Sequence, residues 1–289
     1  MNININDIHG RAMLINLNIC QWAARKSDKR VANEAVSQHG ASTSKASFYK
    51  PLVEGGELDA IKVAAGKART MHYHRTLPWS DNGPRILSNV GYLDYMQELG
   101  KLKAEFESAV ASFVAQYPLL RQEAKRTLGT LFVDADYPDV GSIREKFRFE
   151  VKVLPLPKGD DFRCDLGTEE VERIRKDIEA NARSAVQESM DEAFDRVAKV
   201  VESYIDRLRD PKTVFRDSLV ENARALADVL PSLNFTGDPR LDAITAKLRE
   251  GLCVYEPDDL RKDPLARRKA YDHAMEMHKD LIGFFGGAQ

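Results

Sequence analysis

The run "TEEVERIRKDIEANARSAVQESMDEAFDRVAKVVESYIDRLR" (168–209) decides how this chain is read. It holds neither proline nor glycine, and Pro211 stops it. Nothing in it interrupts an i→i−4 ladder, so it predicts one helix, a rod of about 60 Å at the rise of an α-helix. Thr168 is placed to cap that rod, with Glu169 and Glu170 beside its positive end. The inner positions read Val171, Ile174, Ile178, Ala182, Ala185, Ser189, Ala193, Val197, Val200, Tyr204 and Leu208. Their step, about 3.7 residues, lies nearer the 11-residue repeat than the heptad and predicts a straight or faintly right-handed pairing. The central alanines let a companion helix come close. A stripe of this length needs a companion, and the partner-helix residues are Val171, Ile174, Ile178, Ala182, Ala185, Val197, Val200, Tyr204 and Leu208.

Working outward, segment 92–131 is the expected mate. Met96, Leu99, Leu102, Phe106, Val110, Phe113 and Tyr117 return every three or four residues, and Pro118 is expected to kink this helix or restart it. Run antiparallel, the two segments predict a long helical hairpin, a coiled-coil-like arm. Between them lies "FRFEVKVL" (147–154), whose alternation is that of a half-buried strand. Such a strand needs a mate, and "LINLNICQW" (14–22) alternates in the same way, with "PRILS" (84–88) a third short strand. The fold class is therefore mainly α with a small β-sheet. Three consecutive regions are expected: an N-terminal α+β region (1–90), the hairpin with its inserted strand (91–210) and a C-terminal helical region (211–289).

Smaller signals fill in the rest. Ser27 is placed to cap a helix ending at Gly40, and "GASTSKAS" (40–47) has the composition of a loop. A helix follows through "ELDAIKVAAGKARTMHYH", and "LPWSDNGP" (77–84) reads as an irregular loop. Thr213 is expected to open a helix ending near Leu230 and Pro231, and Gly251 to close the next.

Composition narrows the function classes. The 289 residues carry a formal net charge of −2, so no overall field draws the chain to nucleic acid or anionic lipid. Cys20, Cys164 and Cys253 are sparse and odd in number, which fits reduced thiols in a cytoplasm. No stretch approaches the roughly 20 apolar residues of a membrane span. No phosphate-binding loop, dinucleotide fingerprint or nucleophile elbow occurs. A non-enzymatic protein without cofactor, catalytic residues or metal ligands is the expectation.

His72 and His74, with Trp79 and Asp81 nearby, are the best concentration of site-like side chains. Two residues apart on a helix, however, they point about 200° away from each other. His273 and His278 are five apart and equally ill-disposed to share a metal. Basic clusters stand at Arg25, Lys26, Lys29 and Arg30, at Arg121, Lys125 and Arg126, and at Arg261, Lys262, Arg267, Arg268 and Lys269. The last is the candidate set of phosphate contacts, with solvated helix faces balanced by neighbouring acids as the competing reading.

"HGRAMLINLNICQWAARK" (9–26), "LPWSDNGPRIL" (77–87), "FRFEVKVLPLP" (147–157) and "FRDSLVENARALADVLPSLNFTGDP" (215–239) together resemble a phage and bacterial family filed as domain of unknown function 3150. The resemblance implies a phage-type accessory protein in a host cytoplasm, beside AAA ATPases of the MoxR type and von Willebrand A-domain proteins. It implies no catalytic residue. The expected roles are self-association and adaptor work for such an ATPase; the alternative is nucleic-acid association through basic helix faces.

Overall fold

The computed structural model describes residues 5–40, 42, 47–54, 56–81, 83–164 and 166–286. In chain order the elements are α1 (Ile5–Ile8), β1 (Ala12–Cys20), β2 (Arg25–Ser27), α2 (Lys29–Gln38), β3 (Tyr49–Pro51), α3 (Gly56–Arg75), β4 (Leu77–Pro78) and β5 (Arg85–Ser88). They continue with α4 (Tyr92–Leu128), β6 (Arg148–Leu154), α5 (Thr168–Leu208), α6 (Ser218–Leu233), α7 (Pro239–Gly251), α8 (Pro257–Lys262) and α9 (Pro264–Gly286). The chain is mainly helical with a small antiparallel sheet. Its strand order β4-β5-β1-β6 makes β1 the neighbour of β6, as the shared alternation implies. Most of the loop expected at 40–47 lies outside the described residues.

Contacts divide the chain into two compact units, and the division does not follow three consecutive regions. One unit takes residues 1–16, 72–96 and 152–289, the other 17–71 and 97–151. The reason is that β1, α3, α4 and β6 each continue from one unit into the other.

In the first unit, β5 pairs antiparallel with β1 from Ala12↔Ser88 to Ile15↔Arg85, and β4 adds Leu77↔Ile86 and Pro78↔Arg85. Leu77 and Pro78, expected in a loop, are therefore a short strand. Helix α5 is unbroken, as its sequence predicts. Its first helical residue is Thr168; Gly167 occupies the cap position and no side chain caps the end. The companion that covers the stripe is α9, together with α6, where the sequence points to 92–131. Arg267 near the start of α9 reaches the carbonyl of Leu208, while Phe284 near its end meets Phe194, so the two helices run antiparallel. Buried along α5 are Ala182, Val186, Ser189, Met190, Ala193, Phe194, Val197, Val201, Tyr204, Ile205 and Leu208. Val186, Met190, Phe194, Val201 and Ile205 widen the expected stripe because helices cover it from two sides. Gly159 lies against α5 so closely that a Cβ there would stand 2.9 Å from the Arg175 carbonyl oxygen. Helix α6 starts at Ser218 instead of Thr213 and carries Pro231 in its last turn.

In the second unit, β2 and β3 pair from Arg25↔Pro51 to Ser27↔Tyr49. Asp28, not Ser27, caps α2, accepting from the amides of Arg30 and Val31; Ser27 is used by the strand. Gly40 adopts a left-handed φ of 60° two residues beyond the helix. Lys50 is 2% exposed and donates to the Leu131 carbonyl at 2.7 Å, with Asp136 at 2.8 Å and Asp28 at 3.7 Å. Helix α4 runs through Pro118 without ending. Trp22, Phe113 and Tyr117 form an aromatic cluster there, and Phe113 also meets Phe147.

Candidate anion-binding cleft

Helix α5 ends because Pro211 follows Asp210, and the freed carbonyls of its last turn need donors. One residue supplies them. Arg267, 8% exposed, donates to the carbonyls of Arg207 and Asp210 at 2.7 Å, Thr213 at 3.1 Å and Leu208 at 3.4 Å. Among the described residues it makes no ion pair, and its hydrogen bonds all go to backbone carbonyls. The same guanidinium sits 5.6 Å from the ring centre of Phe215, and that of Arg261 sits 5.1 Å from it. Segment 209–217 is thereby pinned as a rigid ridge between α5 and α6.

Beside this ridge opens a cleft of about 680 Å³, lined by Lys199, Val200, Ser203, Arg207, Val214, Phe215, Arg216, Ser218, Leu219 and Asn222. Three of these are cations, and among the described residues no aspartate or glutamate lines the cleft. Lys199, Arg207 and Arg216 are exposed and make no ion pair among the described residues. Ser203, Ser218 and Asn222 place polar groups beside them, and Ser218 opens α6, whose first turn carries the positive end of its helix dipole. Val200, Val214 and Leu219 supply apolar surface. Cations without carboxylates, polar side chains and an apolar wall suit an anion carried on an organic framework.

The expected phosphate contacts sit next door and are mostly spoken for. Arg261 bonds to Asp217 and, at 3.1 Å, to Asp258; the hydrogen bond to Asp217 chiefly holds its pKa above the usual arginine value. Lys262 meets Asp258 at 2.8 Å and Arg268 meets Asp272 at 3.1 Å. Arg267 is the buried clasp, and Lys269 is exposed. Neighbouring acids and a structural duty thus absorb most of that set. In the earlier clusters Lys26 lies 3.8 Å from Asp136, Arg121 2.8 Å from Asp134, and Arg126 bonds to Glu123, whereas Arg25, Lys29, Arg30 and Lys125 are exposed.

His72 and His74 both lie on α3, and the structure does not bring them together. His72 is buried, its Nδ1 2.8 Å from the Tyr95 hydroxyl, whereas His74 is exposed. Burial, seconded by the charge of Arg85, lowers the His72 pKa to about 4. Burial also pushes the Tyr95 phenol up. Arg85 donates to the Thr76 hydroxyl and carbonyl, and Arg196 to the His74 and Thr76 carbonyls. Together these bonds close off the C-terminal turn of α3. Among the described residues no three His, Cys, Asp or Glu are grouped to hold a metal ion.

Sequence reasoning misses the cleft because Lys199 and Arg207 lie on α5 while Arg216 lies beyond its end at Pro211, and nothing local shows that the chain folds them around one hollow. One local signal was present: "RLRDPKTVFR" (207–216) sets four cations against a single acid. Comparison with family models, curated proteins and solved structures returns no match.

Proposed function

We propose that the protein is a non-enzymatic binding protein whose basic cleft takes the phosphate groups of a ligand. The observation that supports this reading is the lining of the cleft, which holds Lys199, Arg207 and Arg216 and, among the described residues, no carboxylate. Arginine and lysine in that setting are uncompensated until an anion arrives, and phosphate is the anion their geometry and charge suit. Titration calorimetry with inorganic pyrophosphate at low ionic strength tests it. The wild type is expected to bind, and a Lys199→Glu/Arg216→Glu variant of unchanged melting temperature is expected to lose the heat. Equal binding by both proteins would refute the reading.

A second reading is favoured by a different observation. Val171, Ile174 and Ile178 are only half-buried, whereas from Ala182 onward the expected stripe is buried within the chain except at Ala185 and Val200, which are half-buried. This start of α5 is where a second copy or an adaptor partner such as a MoxR-type AAA ATPase would dock, as the family resemblance implies. Both readings suit work in the cytoplasm. Light scattering across a concentration series tests self-association, and co-purification with the ATPase tests the adaptor role.

A further inference from the structure

Resting on the phosphate-binding reading, we infer that the ligand is a single strand of nucleic acid, which passes from the basic cleft over the 209–217 ridge into a second cavity. That second cavity, about 240 Å³, lies on the other flank of the ridge and is lined by Leu208, Arg209, Pro211, Leu260, Arg261, Asp263, Pro264, Arg267, Arg268 and Tyr271. The two hollows share a wall. Phe215 lines the first, and the guanidinium groups of Arg261 and Arg267, which line the second, lie over its ring.

The ridge itself carries charge across the gap. Arg209 and Lys212 are exposed on it and make no ion pair among the described residues. Asp210 is the only acid between Arg207 and Arg216, and its carboxylate accepts the Lys212 amide at 2.9 Å. Exposed Lys199, Arg207 and Arg216 in the first cleft and Arg209 and Lys212 on the ridge therefore follow one another to the rim of the second cavity, where Arg209 is the exposed cation without an ion pair among the described residues. A lone phosphate needs one such pocket; a succession of them fits a ligand with a succession of negative charges. Because Arg267 holds two carbonyls of the ridge, those of Asp210 and Thr213, together with two at the end of α5, the backbone of the track is preorganised and ordering it costs the ligand little.

Two features favour a nucleic-acid strand over a bare polyanion. The second cavity presents the half-buried ring of Tyr271, with the Arg268 guanidinium 5.4 Å from its centre, a planar pair that a base can join by stacking. The first offers Val200, Val214 and Leu219, apolar surface that a sugar or base covers and a polyphosphate does not. Stacking beside Tyr271 requires an unpaired base, which an intact duplex does not offer.

Fluorescence anisotropy on the full chain, with labelled oligothymidylates of increasing length, a 16-base-pair duplex and long-chain polyphosphate, tests this. Affinity is expected to climb with oligomer length and then level off, and to fall steeply with added salt. The single strand should bind about tenfold more tightly than the duplex. Arg209→Glu and Tyr271→Ala should each weaken the single strand about tenfold while leaving pyrophosphate heats unchanged. Polyphosphate should respond to Arg209→Glu and not to Tyr271→Ala. Pyrophosphate binding with no dependence on oligomer length, or with no effect of these two substitutions, overturns the strand and leaves the phosphate site standing. Tighter binding of the duplex, or equal sensitivity of polyphosphate to the loss of Tyr271, also overturns it. Failure of every probe at low salt removes the phosphate-binding reading as well.

Discussion

Arg267 is a buried cation whose acceptors are all backbone carbonyls. Its removal takes the side-chain donor from partly buried carbonyls at the end of α5 and leaves a hollow in their place, so Arg267→Ala should cost about 3 kcal/mol in urea unfolding. Arg267→Lys should recover only part of this, since one ammonium cannot span carbonyls of Arg207, Asp210 and Thr213 at once. His72 illustrates a different residue-scale effect. Its folded pKa of about 4 lies below the 6.5 of an unfolded histidine, so between these values the unfolded chain binds the extra proton. Stability therefore rises with pH through that window: the penalty is absent above about pH 6.5, grows as pH falls and is complete below about pH 4. Its full size is about 3 kcal/mol. Melting temperature followed from pH 7 to pH 4 should show this loss, and His72→Gln should flatten it. Neither role is legible in sequence. A histidine beside Tyr73 looks the same whether it faces solvent or the Tyr95 hydroxyl, and Arg267 is one cation of five in its cluster.

At the scale of elements, the kinds of structure are legible because periodicity is a local property. The unbroken 168–208 helix and the alternating strands β1 and β6 follow directly from it. The companion of α5 is not legible, since an apolar stripe states that something covers it without saying what. The width of the stripe is missed for the same reason: a helix covered by both α9 and α6 buries Val186 and Val201 as well as the narrower set. Substitution separates the two faces. Met190→Ala, at a position 1% exposed, should cost about 3 kcal/mol, whereas Val200→Ala, half-buried at the edge of the cleft, should cost less than about 1 kcal/mol. Gly159→Ala tests the approach of the 159–161 turn to α5. An added methyl meets the Arg175 carbonyl oxygen at 2.9 Å, and a loss of about 1–3 kcal/mol in thermal unfolding is expected as that turn is pushed away. The ladder of α5 itself should persist in far-ultraviolet circular dichroism.

For the whole molecule, no consecutive reading of the sequence anticipates the threading, because nothing local marks where a strand or helix leaves one set of contacts for another. The stretch 152–289 supplies the largest continuous part of the first unit. Its core nevertheless also uses Ile8, Ala12, Leu14, Leu77 and Ile86, and Ser189 of α5 bonds to the Pro78 carbonyl. Expressed alone, 152–289 should keep helical circular dichroism but melt well below the intact chain, and adding a 1–96 fragment in trans should raise its melting temperature. A fragment as stable as the full chain would show those five residues to be dispensable. The threading has a further consequence, for inheritance. With boundaries at 16/17, 71/72, 96/97 and 151/152, no single contiguous exchange of gene segments replaces one unit and spares the other. Replacing 17–151 to renew the smaller body would also carry off β4, which lies against the rod, and β5, which lies against α6. Recombination between diverged relatives should therefore pass on both bodies together or yield chimaeras that fail to fold.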